Sequence, residues 1–180
     1  ETSRMWHDLM KVLDLEGFKV IAPDQRGYSK NARPMDVSDY TIDKLSDDVL
    51  RIADAFDLDS FHLIGHDWGS AVGWYIVSIN SDRILTWSAL SVPHLDAFLD
   101  AIKNDKEQQK KSRYISLFRK PFLPELYFKI FGYKYLKDIW RYSLDNEKEL
   151  YLETFKQKGA LKSTLNWYRA NFNGSDYKVG

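Results

Sequence analysis

The chain has 180 residues, of which 44% are hydrophobic and 29% charged, and its 26 basic residues are balanced by 26 acidic ones. This composition is typical of globular proteins with a buried core, and it gives no support to a disordered chain or to a binder of nucleic acid. The sequence contains no cysteine, which excludes disulfides and thiol catalysis, and no apolar run reaches the length of a membrane span.

Helices and strands are predicted to alternate along the first half of the chain. Apolar residues recur at helical spacing in some segments, and β-branched and aromatic residues form short runs in others. The predicted elements are a helix over 5–13, a strand over 18–22, a loop over 23–34, a helix over 41–56 with Thr41 as N-cap, a strand over 60–64, a helix over 71–79 and a strand over 84–92. Such alternation predicts an α/β fold with a mostly parallel sheet.

A turn of unusual composition joins the strand over 60–64 to the next helix. It reads Gly65-His66-Asp67-Trp68-Gly69, with a carboxylate where lipases and esterases carry serine. Small residues on both sides of the central one allow a sharp strained turn, the nucleophile elbow, which lifts that residue above the end of the strand. An ordinary helix N-cap is the alternative interpretation of Asp67, but a strand before it and a helix after it favour a catalytic one.

Two further motifs precede this elbow, and they are Pro23-Asp24-Gln25-Arg26-Gly27-Tyr28-Ser29 and Arg33-Pro34. In this order and spacing the three motifs resemble the branch of the α/β-hydrolase fold that contains epoxide hydrolases and haloalkane dehalogenases. The resemblance runs from Met5 to about Phe172 and implies a mostly parallel sheet with a helical cap. Arg26 and Tyr28 are expected to support their loop rather than to take part in the chemistry.

The resemblance also implies a division of the chain. Residues 1–93 are expected to form part of the α/β-hydrolase core, 94–172 the helical cap, and 173–180 a return towards the remaining core. Because the first residue is not Met and a helix pattern follows almost at once, the chain is expected to be an internal fragment without the first and last strands of the fold. On its own it is expected to be marginally folded and inactive.

A carboxylate nucleophile suits displacement at a saturated carbon, where it forms an ordinary ester. Attack on an amide or ester would give an anhydride that is more reactive than the starting acyl group. Water must then cleave the alkyl-enzyme ester at the Asp67 carbonyl carbon, and the Trp68 backbone N–H is the expected donor to the oxyanion of that step. A carboxylate nucleophile is therefore compatible with two kinds of leaving group, halide and epoxide oxygen.

A ring-opening alkoxide needs a proton donor, and a phenol with a pKa of about 10 is well matched to it. The resemblance implies two such donors in the cap, Tyr114 and Tyr168, the second within Asn166-Trp167-Tyr168-Arg169. The remaining cap tyrosines are expected to pack in the cap, and they are Tyr127, Tyr133, Tyr135, Tyr142 and Tyr151.

Haloalkane dehalogenase remains the enzyme alternative, because the Trp68 indole could hold a halide, with Trp140 or Trp167 as a second donor. A ligand-binding relative without activity is the other alternative, although a buried elbow carboxylate with no purpose would be costly. The pair of tyrosines favours opening of epoxides to diols.

The family also needs a histidine base, an acid that orients it and a His-Gly-x-Pro turn, and none of these motifs occurs in the chain. The four histidines, His7, His62, His66 and His94, are expected to pack or to hydrogen-bond locally. No metal or cofactor is expected, and the partners are a small hydrophobic substrate and water rather than nucleic acid or membrane. A cytoplasmic location is expected, and the oligomeric state stays open.

Overall fold

The computed structural model describes residues 2–134, 136, 140 and 142–172. Its helices and strands are α1 (His7–Leu15), α2 (Ile42–Ala55), β1 (Phe61–His66), α3 (Trp68–Ile79), β2 (Ile84–Leu90), α4 (Leu95–Asn104), α5 (Lys106–Lys111), α6 (Arg113–Phe118), α7 (Leu123–Phe131), α8 (Asp145–Lys156) and α9 (Ala160–Asn171). None of the helices described combines the length and the apolar character needed to cross a membrane.

Contacts within the chain divide it into two compact units. The first comprises Glu1–Met35 and Pro121–Asn166, and the second comprises Asp36–Lys120 and Trp167–Gly180. Each unit therefore draws residues from both sides of the predicted boundary between core and cap at 93/94, and that boundary stays a prediction. The predicted return over 173–180 lies outside the described residues.

The sheet of the second unit is parallel, as the alternating pattern predicts. Within the described residues it has two strands, β1 and β2, with Gly65 opposite Ala89 and His66 opposite Leu90. Because parallel strands need a crossover, α3 connects them and packs on the sheet. The core of this unit includes the side chains of Tyr40, Leu45, Val72, Ile76 and Trp167, each at most 2% exposed.

The first unit is held by a loop and by aromatic packing. Arg33 donates to the carbonyl oxygens of Gly27, at 3.0 Å, and Tyr28, at 3.1 Å, which closes the loop that both residues belong to. The ring of Tyr28 meets Phe155 edge-on at 6.1 Å. These contacts are of the kind expected of a supporting loop.

Most predicted elements are confirmed with shifted ends. The helix predicted from 71 begins at Trp68, since the turn before it is tighter than an ordinary loop. Thr41 occupies the N-cap position of α2, but its side chain makes no capping hydrogen bond and instead donates to the Ser38 carbonyl oxygen, at 3.4 Å. From Leu95 to Asn171 every described element is helical, as predicted.

The strand predicted over 18–22 is wrong. Those residues form no helix or strand between α1 and the loop, and they belong to no ladder of the described structure. A strand requires a neighbouring backbone to pair its N–H and C=O groups, and β-rich composition alone does not supply that neighbour.

The closest packing of α3 on the sheet occurs at Gly73. A Cβ atom there would lie 2.7 Å from Cζ2 of the Trp87 indole on β2. We therefore expect Gly73→Ala to lower the free energy of unfolding by about 1–3 kcal/mol, because the indole must move. Urea unfolding measures this, with Ser78→Ala at an exposed position of the same helix as control. Equal stability of the two variants would contradict the close packing.

Candidate active site

A strained turn carries the predicted nucleophile. Asp67 lies between the end of β1 and the start of α3, with φ 53° and ψ −120°. A residue with a side chain rarely adopts positive φ, and such strain costs about 1–3 kcal/mol, which the surrounding structure must offset.

Close backbone approach requires glycine at position 65 of the elbow. A Cβ on Gly65 would lie 2.6 Å from the carbonyl carbon of Gly69 and 2.8 Å from the backbone nitrogen of Ser70. Neither backbone atom has room to move away, so position 65 excludes any side chain. This is the physical constraint that the sequence predicted from small residues around Asp67.

One hydroxyl group fastens the turn to both strands. The Ser70 Oγ lies 2.7 Å from the carbonyl oxygens of Gly65 and Leu90, and it accepts a hydrogen bond from the Leu90 N–H at 3.0 Å. The Asp67 N–H also donates to the Leu90 carbonyl oxygen, at 3.1 Å. Ser70 is completely buried, so these bonds do not exchange with water.

The carboxylate of Asp67 is available for chemistry. It occupies the N-cap position of α3, yet within this described turn its side chain accepts no capping hydrogen bond. The N-cap interpretation therefore does not account for an acidic side chain here. Asp67 is also exposed, so the expectation that it is buried at a cost is wrong. The turn lifts the side chain away from the packed strand ends.

An open cleft of the second unit contains this side chain. Its volume is about 600 Å³, including the space at its mouth. The lining residues are Ile42, Asp67, Trp68, Ala71, Val92, Leu95, Phe98, Leu99, Tyr114, Ile115, Tyr168, Asn171 and Phe172. Apart from the Asp67 carboxylate, the Trp68 indole, two phenols and one amide, the lining side chains are apolar, which suits a neutral, hydrophobic ligand.

The four residues singled out by sequence are brought together in this cleft. The Tyr168 ring meets Trp68 edge-on at 5.2 Å and Tyr114 at 6.0 Å. Phe118 and Phe172 complete the cluster around Tyr168, at 5.1 and 6.4 Å. α6 supplies Tyr114 and α9 supplies Tyr168, so two helices present phenols to one cavity. The roles of these residues stay predictions.

Neither proposed second halide donor lines the cleft. Trp167 is fully buried and packs edge-on against Trp68 at 5.5 Å. Trp140 belongs to the first unit, where it packs against Tyr151 and Phe155. Trp68 therefore supplies the indole in the described lining.

The other cap tyrosines are mostly packing residues. Tyr151 is 2% exposed, and the Tyr133 hydroxyl donates to the Phe155 carbonyl oxygen at 3.3 Å. Tyr127 packs against Phe131 at 4.9 Å. Tyr142 is 90% exposed, so the expectation that it packs is wrong, and Tyr135 lies outside the described residues.

None of the four histidines is among the residues that line the cleft. The Nδ1 atom of His62 lies 2.8 Å from the Thr86 hydroxyl, and His94 packs against Trp74 at 5.1 Å. His7 is exposed on α1 and His66 is half-buried at the end of β1. No group of three acidic, histidine or cysteine side chains within the described ranges could hold a metal ion.

Sequence reasoning missed several lining residues. Leu95, Phe98 and Leu99 share one face of α4 at helical spacing, so the pattern of apolar residues in the sequence could have indicated them. Asn171 lies three residues after Tyr168 and so faces the same side of α9. Its amide is polar, however, and a periodicity analysis follows apolar residues.

We expect Ser70→Ala to lower the free energy of unfolding by about 1–3 kcal/mol, because it leaves the buried Leu90 N–H without its hydroxyl acceptor. Thermal unfolding measures the loss. Ser88→Ala, at an exposed position of β2, is the matched control and should change stability by less than about 0.5 kcal/mol. A Ser70→Ala protein as stable as the control would show that the hydroxyl does not fasten the turn.

Comparison with known proteins identifies the family of this arrangement. Residues 1–176 match the family model described as the alpha/beta hydrolase fold. The AB hydrolase superfamily protein YfhM of Bacillus subtilis (strain 168) is 35% identical over 176 residues, which cover 94% of this chain and 62% of that protein. Epoxide hydrolase 2 of Caenorhabditis elegans is 33% identical over 173 residues, covering 88% of this chain and 49% of that protein.

Solved structures give the same result. One from novel epoxide hydrolases in metagenomes from hot environments has a TM-score of 0.80 at 30% identity, covering 95% of this chain and 59% of that one. Epoxide hydrolase VrEH1 from Vigna radiata has a TM-score of 0.78 at 26% identity, covering 94% and 61%. The chain thus spans about half to three fifths of the length of these relatives.

Proposed function

Because the chain belongs to the α/β-hydrolase fold family, we propose that the full-length protein carrying it opens epoxides to diols, with Asp67 as nucleophile. One observation carries this proposal: a carboxylate on a strained turn shares an apolar cleft with the phenols of Tyr114 and Tyr168. The similarity to epoxide hydrolases at 30–33% identity supports it.

In the first step a carboxylate oxygen of Asp67 attacks a ring carbon of the epoxide. The bond from that carbon to the ring oxygen breaks, and the ring oxygen leaves with the electron pair as an alkoxide. Tyr168 or Tyr114 donates its hydroxyl proton to this oxygen, and the phenolate later recovers a proton from water. The step forms an alkyl-enzyme ester and needs no cofactor.

In the second step water attacks the Asp67 carbonyl carbon while a base takes one of its protons. The bond from the acyl carbon to the ester oxygen then breaks, and the leaving alkoxide takes the remaining proton of that water, so the diol leaves and Asp67 is a carboxylate again. Negative charge develops on the carboxylate's own oxygen, beside the first N–H groups of α3. The Trp68 N–H is the first of α3, where the helix itself supplies no acceptor, so it can stabilise that charge. The base that activates the water is expected outside these 180 residues, which should therefore form the ester and then stop.

Dehalogenation is the second candidate, because the indole of Trp68 lines the same cleft and meets the ring of Tyr168 at 5.2 Å. A halide leaves as a stable anion and needs N–H donors rather than a phenol. Since Trp140 and Trp167 are not in the lining, the described cleft offers a halide one indole and offers an alkoxide two phenols. We therefore favour the epoxide. A non-catalytic ligand-binding role would not explain a carboxylate at Asp67 that makes no capping hydrogen bond.

Covalent catalysis by Asp67 is tested with heavy-oxygen water. In a single turnover of the full-length protein with excess enzyme over epoxide, the label should enter the Asp67 carboxylate rather than the diol, because water attacks the ester at the enzyme's carbon. Mass spectrometry of the peptide containing Asp67 measures this. The Asp67→Asn protein should form no ester within this single turnover. Asp82→Asn, which replaces an exposed carboxylate, is the control. Label in the diol alone would disprove the covalent step.

The two phenols are tested by removing their hydroxyl groups. The double variant Tyr114→Phe/Tyr168→Phe should lower kcat for an epoxide by about 10²–10⁴-fold, the range for a lost general acid, and should leave release of bromide from a bromoalkane unchanged. Diol and bromide are measured separately. Tyr142→Phe, whose ring is 90% exposed, is the matched control. Equal losses in both reactions would mean that the hydroxyls act on structure and not on the leaving oxygen.

A further inference from the structure

A buried amide lies among the apolar groups of the cleft. Asn171, the last residue of α9, is 3% exposed and lines the cavity one helical turn after Tyr168. A buried polar side chain is retained at a cost unless its hydrogen bonds are satisfied, so its partners indicate what it does.

Both amide hydrogens of Asn171 are used. The Nδ2 atom donates to the carbonyl oxygen of Tyr40 and to that of Trp167, each at 2.8 Å. Two carbonyl oxygens around one end of the amide fix its orientation, because the side-chain oxygen in that place would face two acceptors. The amide is thus held in one position.

The bond to Tyr40 joins parts of the chain that are 131 residues apart. Tyr40 is completely buried in the 3-10 turn Val37–Tyr40, just before Ile42, which starts α2 and lines the cleft. Asn171 therefore fixes the last turn of α9, which carries Tyr168, to the α2 side of the cavity. The hydrogen bond from Asn171 to the Tyr40 carbonyl oxygen, at 2.8 Å, restricts movement of this turn.

We propose that Asn171 is a positioning residue that sets the Tyr168 hydroxyl relative to the Asp67 carboxylate. This inference rests on the proposed function, since it assigns Tyr168 the proton donated to the leaving oxygen. A proton donor is effective only in a narrow geometry, and a displacement of about 1 Å is enough to cost about 10²-fold in rate.

The test is a double-mutant cycle on the full-length protein. Asn171→Asp has nearly the same shape but puts a carboxylate oxygen against the two carbonyl oxygens. We measure the rate of ester formation on Asp67 by rapid quenching and mass spectrometry for wild type, Asn171→Asp, Tyr168→Phe and the double variant. Asn171→Asp should slow ester formation by about 10–100-fold at saturating epoxide, with a smaller change in the substrate concentration for half-maximal rate.

The cycle separates positioning from general support. If Asn171 acts through Tyr168, Asn171→Asp should slow the Tyr168→Phe protein by less than about threefold, because no hydroxyl is left to misplace. Cleavage of the ester, which does not need Tyr168, should keep its rate. Asn104→Asp, which changes an exposed amide bound to Asp100 at the end of α4, is the control and should leave ester formation unchanged.

Two results would overturn the inference while leaving the proposed function intact. One is equal slowing by Asn171→Asp in the presence and absence of the Tyr168 hydroxyl, and the other is a wild-type rate in Asn171→Asp. If Asn171→Asp does not fold, Asn171→Ala replaces it in the same cycle. Absence of any ester on wild-type Asp67 is a different result, which overturns the proposed function and this inference with it.

Discussion

The strained turn at Asp67 is the constraint on which the cleft depends. A positive φ at this residue is unfavourable by about 1–3 kcal/mol, and net contributions of about 0.5–1.5 kcal/mol per hydrogen bond mean that several bonds are needed to hold it. The hydroxyl of Ser70 and the N–H of Asp67 supply bonds to the ends of both strands. The close approach at Gly65 requires a residue without a side chain, so the same turn also restricts the sequence before Asp67.

The arrangement of the cleft depends on α3, the helix that begins directly after this turn. Because α3 begins at Trp68, the indole comes directly after the carboxylate and serves as a surface for the aromatic side chains of α9. Tyr168 and Phe172, the residue directly after that helix, pack in a stacked arrangement at 6.4 Å. The apolar face of α4 provides another wall. Edge-to-face ring contacts define the distances between these rings without using polar groups.

Local and non-local features differ in how far the sequence could predict them. The elbow was predictable, because the glycines near Asp67 interact within a few residues of one another. The phenols of Tyr114 and Tyr168 were found through motifs, and nothing in composition distinguishes them from the exposed Tyr142. The strand over 18–22 failed because strand formation depends on a neighbour and not on the segment alone. Exposure of Asp67 also depends on its surroundings.

Asn171 shows the same limit at the site. Its partner Tyr40 lies 131 residues away, and no periodicity connects an amide to a distant carbonyl oxygen. An asparagine near the end of a helix is usually an ordinary helix-ending residue, and only the burial and the two acceptors distinguish this one. The contact became visible only when the fold placed the α2 side of the cleft next to the last turn of α9.

In the proposed mechanism one turn serves two successive steps. A side chain at the N-cap normally binds the first N–H groups of its helix, which would withdraw electron density from a nucleophile and occupy the donors needed later. Asp67, at φ 53° and ψ −120°, makes no capping hydrogen bond to α3 and lines the cleft. The carboxylate is therefore free to attack carbon, and the N–H groups of α3 remain available when charge returns to that carboxylate as the ester is cleaved. A serine on the same turn would also have the α3 N–H groups available for its oxyanion. It would not attack carbon unaided, however, because a hydroxyl needs a base and a carboxylate does not.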